Sequence, residues 1–357
     1  KVGDIMKFIH IADTHLGAKP DGGRSYNDIR AEELWSSLSH VLEVCEKQKI
    51  ELLLIAGDIF HRQPLRRELK ELNYLFSKLS MTRVVFIAGN HDYIRPDSYY
   101  LDFQWCSNVF PLLSEKIEAI EFKDLELCVY GLSYHKREIL EPIYDIWEPE
   151  GHRSKFKILL AHGGDDKHIP IKKDQLVSKK WNYVALGHLH KPQVLAANHI
   201  LYSGALEPID KNDTGNHGYI LGELTEKGVQ TQFIPSAKRQ YIHMELEVDD
   251  HMTSGEVKEK LKASIQAKGI ENLYKVHLTG FRDPDIYMDI HKMDTFGNIL
   301  EIIDETNPAY DFSKLLSQNK DNLLGKYISS LISSETGSIE YQALYEGVQA
   351  ILETKRG

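Results

Sequence analysis

Cysteine is scarce in this sequence: there are three in 357 residues (Cys45, Cys106 and Cys128), an odd number with no close spacing. Such a set excludes a disulfide framework, and we interpret the three as reduced core thiols of a cytoplasmic protein. Long apolar runs are also missing, since none approaches the roughly 20 residues that cross a bilayer. No signal-peptide pattern begins the chain. We expect Met6 to be the native start, after an expression remnant or slightly early start over 1–5.

Positive charge is in deficit, with 43 Lys and Arg against 53 Asp and Glu and a net charge of −10. This acidic balance weighs against a nucleic-acid partner. It does not exclude one, because a metal cluster and a local basic stripe can bind phosphate on an acidic protein. The length allows two or three domains with full cores.

Predicted strands and helices alternate over the first 238 residues. Helical apolar stripes follow strands 7–12 and 52–56, and Pro64 stands where a second helix begins, a position that favours proline. This alternation predicts crossover connections and an α/β fold with a parallel or mixed sheet. From about residue 117 strands become denser, which predicts a second sheet packed on the first. The strands of this part are predicted at 117–122, 125–131, 157–161, 183–186, 199–203, 217–223 and 229–234.

The pattern changes near residue 240. Strand patterns at 241–248, 274–278 and 286–291, with a charged helix between the first two, predict a small α+β module over 239–308. The segment 311–357 has helical apolar stripes and is predicted to be a helical tail. One stripe of this tail must pack on the body of the protein or on a partner. It consists of Leu323, Leu324, Tyr327, Ile328 and Leu331.

Metal-competent side chains stand at the ends of five predicted strands. Polar residues placed there belong on loops that a rigid sheet holds in position. Each motif alone is common in turns, but packing gives no reason for all five strand ends to carry such residues. The residues so placed are Asp13 and His15, Asp58, Asn90, His162, and His188 and His190.

These seven side chains fit a pair of divalent cations. Two ions need about four protein ligands each, and a carboxylate bridges well, so seven ligands with one shared give four per ion and leave room for a bridging water. Such a count is typical of binuclear hydrolases, in which the ions lie about 3.5–4 Å apart. A set of carboxylate, imidazole and amide ligands without cysteine favours Mn²⁺, with Fe²⁺ or Zn²⁺ as alternatives, over a structural zinc.

The ordered motifs resemble the calcineurin-like metallophosphoesterase superfamily over residues 6–235. More narrowly, the pentapeptides at 13–17 (Asp-Thr-His-Leu-Gly) and 57–61 (Gly-Asp-Ile-Phe-His) are similar to the SbcD-like DNA repair nucleases. The resemblance implies two mixed sheets packed as a sandwich flanked by helices. It also implies a nuclease domain at 6–238, a capping domain at 239–308 and a helical, ATPase-binding tail at 311–357.

The same resemblance implies the ligand sets and the activity. Asp13, His15, Asp58 and His190 would hold one ion, and Asp58 would bridge to a second ion held by Asn90, His162 and His188. The expected function is metal-dependent cleavage of DNA, as a 3′–5′ exonuclease and endonuclease in double-strand-break repair. The expected partners are DNA, an SbcC-type ABC ATPase with coiled-coil arms, and a second copy of the chain. The alternatives are a small-molecule phosphodiesterase or nucleotidase, and a catalytically inert scaffold.

Further residues are candidates for catalysis and substrate contact. His91 could donate a proton to the leaving oxygen, with Asp92 orienting it, and His61 could position the phosphodiester. The alternative is a solvated loop histidine for His91 and a surface residue at the start of a helix for His61. Tyr99, Tyr100 and Trp105 could stack on a base, although core packing is favoured. Four arginines near the motifs are candidate phosphate contacts, with a solvated helix face as the alternative. They are Arg24, Arg30, Arg62 and Arg95.

Overall fold

The computed structural model describes residues 5–21, 27–148, 154–286 and 288–356. The chain divides into two compact units, Lys1–Tyr241 and Ile242–Gly357. Among the described residues, none of the helices has both the length and the apolar character of a membrane span.

The first sheet of the first unit has six strands in the order β12-β11-β1-β2-β3-β4. Strands β1 to β4 run parallel, β11 is antiparallel to β1, and β12 is antiparallel to β11, so the sheet is mixed. The parallel strands therefore present their carboxyl ends at one edge. The bounds are β1 Met6–Ile11, β2 Leu52–Ala56, β3 Arg83–Ile87, β4 Val109–Pro111, β11 Gly218–Thr225 and β12 Gly228–Pro235.

The second sheet also has six strands, in the order β5-β6-β7-β8-β10-β9. Strands β6, β7, β8 and β10 are parallel, and β5 and β9 are antiparallel edge strands. The bounds are β5 Glu118–Phe122, β6 Leu127–Gly131, β7 Phe156–His162, β8 Tyr183–Gly187, β9 Gln193–Ala196 and β10 Ile200–Tyr202.

The two sheets pack face to face. Phe8 and Leu54 of the first sheet share a buried cluster with Leu160 of the second. The neighbouring residues Ile9 and Leu53 point the opposite way, into a cluster with helices α1 (Asn27–Gln48) and α2 (Arg66–Ser77). Burial on both faces explains why these strands are continuously apolar. The predicted fold class, two mixed sheets flanked by helices, is confirmed.

The outer face of the second sheet is also covered. Tyr130 and Leu159 on that face pack with Tyr144 and Trp181 in a third buried cluster. The short helices α3 (Ile143–Ile146) and α4 (Lys173–Val177) lie in the connections on this side.

The described residues of the second unit form a small sheet and four α-helices. Strand β14 (Leu273–Arg282) lies between β13 (Tyr241–Val248) and β15 (Ile299–Asp304), and the short β16 (Asn307–Pro308) also pairs with β14. Helix α5 (Ser254–Lys268) covers one face. The strand predicted at 286–291 is wrong, because Ile290–Lys292 forms a 3-10 helix and the third long strand comes later, as β15. The last three helices are α6 Phe312–Gln318, α7 Leu323–Leu331 and α8 Ile339–Arg356.

The helical tail packs partly on itself. Leu324 and Ile328 of α7 are buried against Leu344 and Val348 of α8, whereas Leu323 is 71% exposed. Part of the predicted stripe is therefore buried between α7 and α8, and Leu323 at its start is exposed to solvent. The division at 239–308 and 311–357 stays a prediction, since both segments fall almost wholly within the second unit.

Candidate metal centre

The candidate site lies where the carboxyl ends of five parallel strands meet, the edge at which such sheets commonly bind ligands. Loops from β1, β2 and β3 of the first sheet face loops from β7 and β8 of the second. Backbone contacts fix them to one another. The Asp13 N–H donates to the Gly57 carbonyl at 3.1 Å, and the His188 N–H donates to the Asp13 carboxylate at 2.9 Å.

Three of the predicted ligands gather at one position. The Nε2 atoms of His15 and His190 lie 3.1 Å apart. Together with a carboxylate oxygen of Asp13, their ligand atoms all fall within 4.8 Å of one another. Two imidazole nitrogens and a carboxylate converging on one point form a donor set suited to a divalent cation.

The remaining ligands gather at an adjoining position. The Asn90 Oδ1 lies 2.9 Å from His162 Nε2 and 3.1 Å from His188 Nδ1. Asp58 stands between the two groups, with its Oδ2 3.4 Å from His162 Nε2 and 3.9 Å from His15 Nε2. This geometry brings together all seven side chains, with Asp58 near both groups.

Burial and charge strongly perturb the site. Asp13, His15, Asp58 and His162 are almost wholly inaccessible. Burial, with the charge of Asp58, raises the pKa of Asp13 to about 6. Burial opposes ionisation of Asp58 as well, but the charge and hydrogen bond of His162 hold its pKa well below the usual range. Desolvation lowers the pKa of His162, but the charges of Asp58 and Asp13 and the hydrogen bonds to Asp58 and the Ala56 carbonyl together outweigh it and raise that pKa to about 9.

These pKa shifts share one physical cause, the burial of two carboxylates next to imidazole rings. Two carboxylates are buried side by side, and neighbouring imidazoles must carry a proton to balance them. A divalent cation would supply that positive charge, and its ligands bind as carboxylates and neutral imidazoles. The residues present therefore fit divalent ions, and carboxylate, amide and imidazole donors fit Mn²⁺, Fe²⁺ or Zn²⁺ alike.

The backbone is strained at four of the seven predicted ligands. Asp13, His15, Asp58 and His188 have φ values of 50°, 44°, 48° and 97°. A non-glycine residue held in such a conformation costs of order 1–3 kcal/mol and persists only where its surroundings fix it. Strand β8 also ends at Gly187, so His188 and His190 do not share one face of a strand. They reach the two different positions.

Close approach of the loops requires glycine at two positions. A Cβ atom at Gly89 would collide with the Asp58 carboxylate and the His162 ring, and one at Gly57 would collide with the His162 ring. Gly57 also has φ of 86°, which glycine adopts without strain. Gly57 and Gly89 are therefore required because a side chain at either position would displace candidate ligands.

His61 and His91 form a pair beside the first position. Their rings stack with centroids 4.9 Å apart, and both lie next to the His15 ring, at 5.3 and 4.9 Å. The His91 ring N–H donates to the His61 carbonyl at 3.1 Å. Burial and the charge of His91 lower the pKa of His61, which favours its neutral form.

Asp92 does not orient His91, so that prediction is wrong. Its carboxylate is buried and accepts hydrogen bonds from Gly89 N, Phe60 N and Tyr100 Oη, at 2.8, 3.1 and 2.9 Å. These three bonds do not involve the His91 ring, and the one from Phe60 ties the loop after β3 to the loop after β2. Tyr100 is consequently buried, and the favoured interpretation of core packing holds for it.

The four arginines have different environments. Arg30 is fully buried in α1, where it binds Glu33 and the Pro208 carbonyl, so its predicted contact with DNA is wrong. Arg62 and Arg95 are each 45% exposed and pair with nearby carboxylates at 2.8 and 3.0 Å. Their DNA contacts stay predictions. Arg24 lies outside the described residues.

Two carboxylates behind the site were not predicted from the sequence. Asp165 accepts a hydrogen bond from His188 Nε2 at 2.8 Å, and Asp213 accepts one from His190 Nδ1 at 3.0 Å. Asp165 could have been noticed, because it follows His162 by three residues in a Gly-Gly-Asp-Asp loop. Asp213 carries no comparable signal, since it lies in a separate loop after β10.

Comparison with known proteins agrees with this geometry. The family model of the calcineurin-like phosphoesterases matches residues 6–192, and this span includes all seven candidate ligands. The chain belongs to the calcineurin-like phosphoesterase family. Membership implies divalent metal ions at the Asp and His cluster.

Three relatives illustrate how this phosphoesterase compares. It is 30% identical over 249 residues to an uncharacterized metallophosphoesterase, YhaO, of Bacillus subtilis, covering 64% of this chain and 60% of the relative. It is 30% identical over 225 residues to the DNA double-strand break repair protein Mre11 of Methanocaldococcus jannaschii, covering 58% of each. It is 24% identical over 356 residues to a subunit of the SbcCD nuclease of Staphylococcus epidermidis, covering 87% of this chain and 88% of the relative. The chain thus spans about three fifths of the first two relatives.

Proposed function

We propose that this phosphoesterase cleaves DNA phosphodiesters, as a Mn²⁺-dependent 3′–5′ exonuclease and endonuclease in double-strand-break repair. The observation that carries the proposal is the convergence of seven ligand side chains on two adjoining positions with Asp58 between them. Relatives named for double-strand break repair and for the SbcCD nuclease support DNA as the substrate.

The residues have distinct roles in this proposal. Asp13, His15 and His190 would hold one ion, Asn90, His162 and His188 the other, and Asp58 both. When bound, two divalent ions supply an activated water and neutralise charge on the phosphoryl oxygens.

The stacked pair beside the first position acts on the substrate. In this proposal His91, which lies beside His15 and is not needed as a ligand, protonates the leaving oxygen. His61, whose ring stacks on that of His91, would hold the phosphodiester backbone through its ring N–H. Asp92 contributes by fixing the loop that carries Asn90 and His91.

A second candidate function is hydrolysis of small phosphodiesters or nucleotides. The net charge of −10 favours it, and so do the carboxylates that pair with Arg62 and Arg95. An inert scaffold is disfavoured, because all seven ligands are present and gathered.

A cleavage assay distinguishes the candidates. Purified protein is incubated with Mn²⁺ and end-labelled duplex, hairpin and single-stranded DNA, and in parallel with cyclic nucleotides and a nitrophenyl phosphodiester. We expect cleavage of DNA that EDTA abolishes. Turnover of cyclic nucleotides with intact DNA would favour the second candidate, and turnover of neither would favour the scaffold.

Two substitutions separate ion binding from catalysis. His91→Ala removes the proton donor and no ligand, so it should retain two ions per chain and lose cleavage by about 10²–10⁴-fold. Asp58→Ala removes the shared ligand and should lose both ions. His40→Ala, on the exposed face of α1, is the matched control and should change neither. Loss of ions from His91→Ala would contradict its proposed role.

The partners are also part of the proposal. The SbcCD nuclease relative aligns over 87% of this chain, which supports an SbcC-type ATPase as partner and DNA as substrate. Leu323, exposed at the start of α7, is a candidate contact. Leu323→Asp should weaken co-purification with such an ATPase without changing DNA cleavage by the free chain. Light scattering tests the proposed homodimer.

A further inference from the structure

The segment His188-Leu189-His190 supplies one histidine to each candidate ion position. In each ring, the nitrogen that does not face the ion position is hydrogen-bonded to a carboxylate. His190 directs Nε2 at His15 and Nδ1 at Asp213. His188 directs Nδ1 at Asn90 and Nε2 at Asp165. His190 therefore faces its ion position with Nε2, and His188 faces its ion position with Nδ1. The two carboxylates lie on different loops.

Both carboxylates are themselves fixed by the backbone. Asp165 Oδ1 accepts hydrogen bonds from the Lys167 and His168 N–H groups at 2.8 and 2.9 Å. Asp213 Oδ2 accepts from the N–H groups of Ile209 and Asp210, at 3.1 Å each. These bonds hold each carboxylate in one place, as positioning a ring requires.

A carboxylate determines which tautomer its histidine adopts. An ionised carboxylate only accepts hydrogen bonds, so the ring nitrogen facing it carries the proton and the other nitrogen keeps its lone pair. Asp165 thus leaves the lone pair of His188 on Nδ1, beside Asn90. Asp213 leaves that of His190 on Nε2, beside His15. In both rings the free lone pair is the one that faces an ion position.

We propose that Asp165 and Asp213 are positioning residues that set the affinities of the two ion positions separately. Asp213 acts through His190 on the position of Asp13 and His15. Asp165 acts through His188 on the position of Asn90 and His162. The inference rests on the two-ion site of the proposed function. It adds that a different carboxylate sets the ion affinity of each position.

The two effects should differ in size. Asp213 has a side chain only 13% exposed, whereas that of Asp165 is 46% exposed and also contacts His168 at 2.9 Å. Solvent weakens the electrostatic pull of Asp165 on its histidine. Partners of this kind change metal affinity by about 10–100-fold, and we expect Asp213 near the upper end and Asp165 near the lower.

The experiment titrates Mn²⁺ into metal-free full-length protein by calorimetry and counts bound ions after gel filtration. The variants are Asp165→Asn, which keeps an acceptor oxygen, Asp165→Ala, which removes it, and Asp213→Asn. The control is Asp166→Asn, which makes the same change at an exposed neighbour in the same loop. We expect Asp165→Asn to weaken one of two binding events and Asp165→Ala to weaken it further. Asp213→Asn should weaken the other event, and the control should match wild type.

Two readouts separate positioning from a general structural role. Crystals of Asp165→Ala grown at limiting Mn²⁺ should lose anomalous signal at the position of Asn90 and His162 only. In metal-free protein, long-range proton–nitrogen spectra of the His188 ring should show a mixture of tautomers in Asp165→Ala and Nε2–H in wild type. Unchanged thermal unfolding of the metal-free variants would confirm that they are folded.

The outcomes separate this inference from the proposed function. Wild-type protein that binds no ions would refute the two-ion site itself. Two ions in wild type, with Asp165 variants indistinguishable from Asp166→Asn, would refute only the positioning role. A third ion in wild type that His168→Ala removes would also overturn it, because Asp165, His168 and His188 would then be ligands.

Discussion

Arg30 provides the sharpest test of the distinction between stability and substrate binding in this protein. The sequence suggested a DNA contact, whereas the guanidinium is buried within α1 and donates to Glu33 at 2.6 Å and to the Pro208 carbonyl. It also lies 3.7 Å from Glu207, whose side chain is fully buried. Arg30→Met keeps most of the side-chain volume and removes the charge. We expect it to destabilise the protein and leave the surface unchanged.

The loss of unfolding free energy in Arg30→Met depends on the partners that Glu33 and Glu207 keep. Removing one member of a buried ion pair costs about 3–5 kcal/mol, because the other charge stays buried without compensation. Glu33 keeps Arg239 at 2.8 Å, and Glu207 keeps hydrogen bonds from Ser37 and the Lys238 N–H at 2.5 and 2.6 Å. We therefore expect the lower end, about 3 kcal/mol, which for a folded unit of this size lowers Tm by roughly 6–12 °C.

The assay is thermal and urea unfolding, combined with DNA binding by fluorescence anisotropy well below Tm. Arg62→Met is the matched control, since its exposed pair with Glu68 should contribute less than about 1 kcal/mol. If Arg62 contacts phosphate, its substitution should weaken DNA binding and reduce the salt dependence. Adding Glu207→Gln to Arg30→Met should recover part of the lost stability, because it removes the uncompensated charge.

The reasoning is refuted by the opposite pattern. Arg30→Met with unchanged unfolding and weakened DNA binding would mean that the guanidinium reaches the surface in solution. Failure of Glu207→Gln to recover any stability would mean that the loss comes from packing, and that the buried charge on Glu207 is not its cause.

Two further predictions concern the site and its supporting core. Gly89→Ala should abolish binding of both ions in calorimetry, because the new Cβ displaces Asp58 and His162, and retained binding would show that the loops can move apart. His10 is fully buried beside the Tyr183 hydroxyl, and burial lowers its pKa to about 3 from 6.5. The unfolded chain then takes up the proton first as the pH falls, so His10 should cost about 2 kcal/mol of stability between pH 7 and 5. His10→Gln should remove that part of the pH dependence in urea unfolding, and an unchanged slope would contradict the burial argument.

The fold was predictable where local pattern and burial agree. The central strands β2, β3, β6 and β8 are short apolar runs, because they are buried on both faces, and the helices carry single apolar stripes. The strand at 286–291 failed because periodicity alone cannot show how a segment packs. Its apolar residues Ile286 and Met288 lie in the cluster that contains Tyr274 and Val276 of β14 without joining the sheet, and β15 pairs with β14 instead.

The gathering of the candidate ligands was predictable, because the position of each in the sequence determines its position in the fold. A residue directly after a parallel strand lies at the carboxyl edge of its sheet, whatever the rest of the chain does. The supporting residues have no such rule. Asp213 reaches His190 through a loop whose path depends on other contacts, including the hydrogen bond of Arg30 to Pro208. The same dependence explains why Asp92 supports the loop and does not contact His91.

One property of the site could not be predicted from its residue types and is a separate argument for function. At Asp13, His15 and Asp58 the backbone adopts a left-handed conformation that glycine would accept with less strain. Glycine there would relieve of order 1–3 kcal/mol at each position but would remove a ligand. The chain keeps the strained residue at each, while it places glycine at the neighbouring Gly57 and Gly89, where a side chain would block the ligands. At these three positions the local preference for glycine is overridden where a candidate ligand atom is gained, which is the pattern expected when metal binding, more than folding, determines the residue.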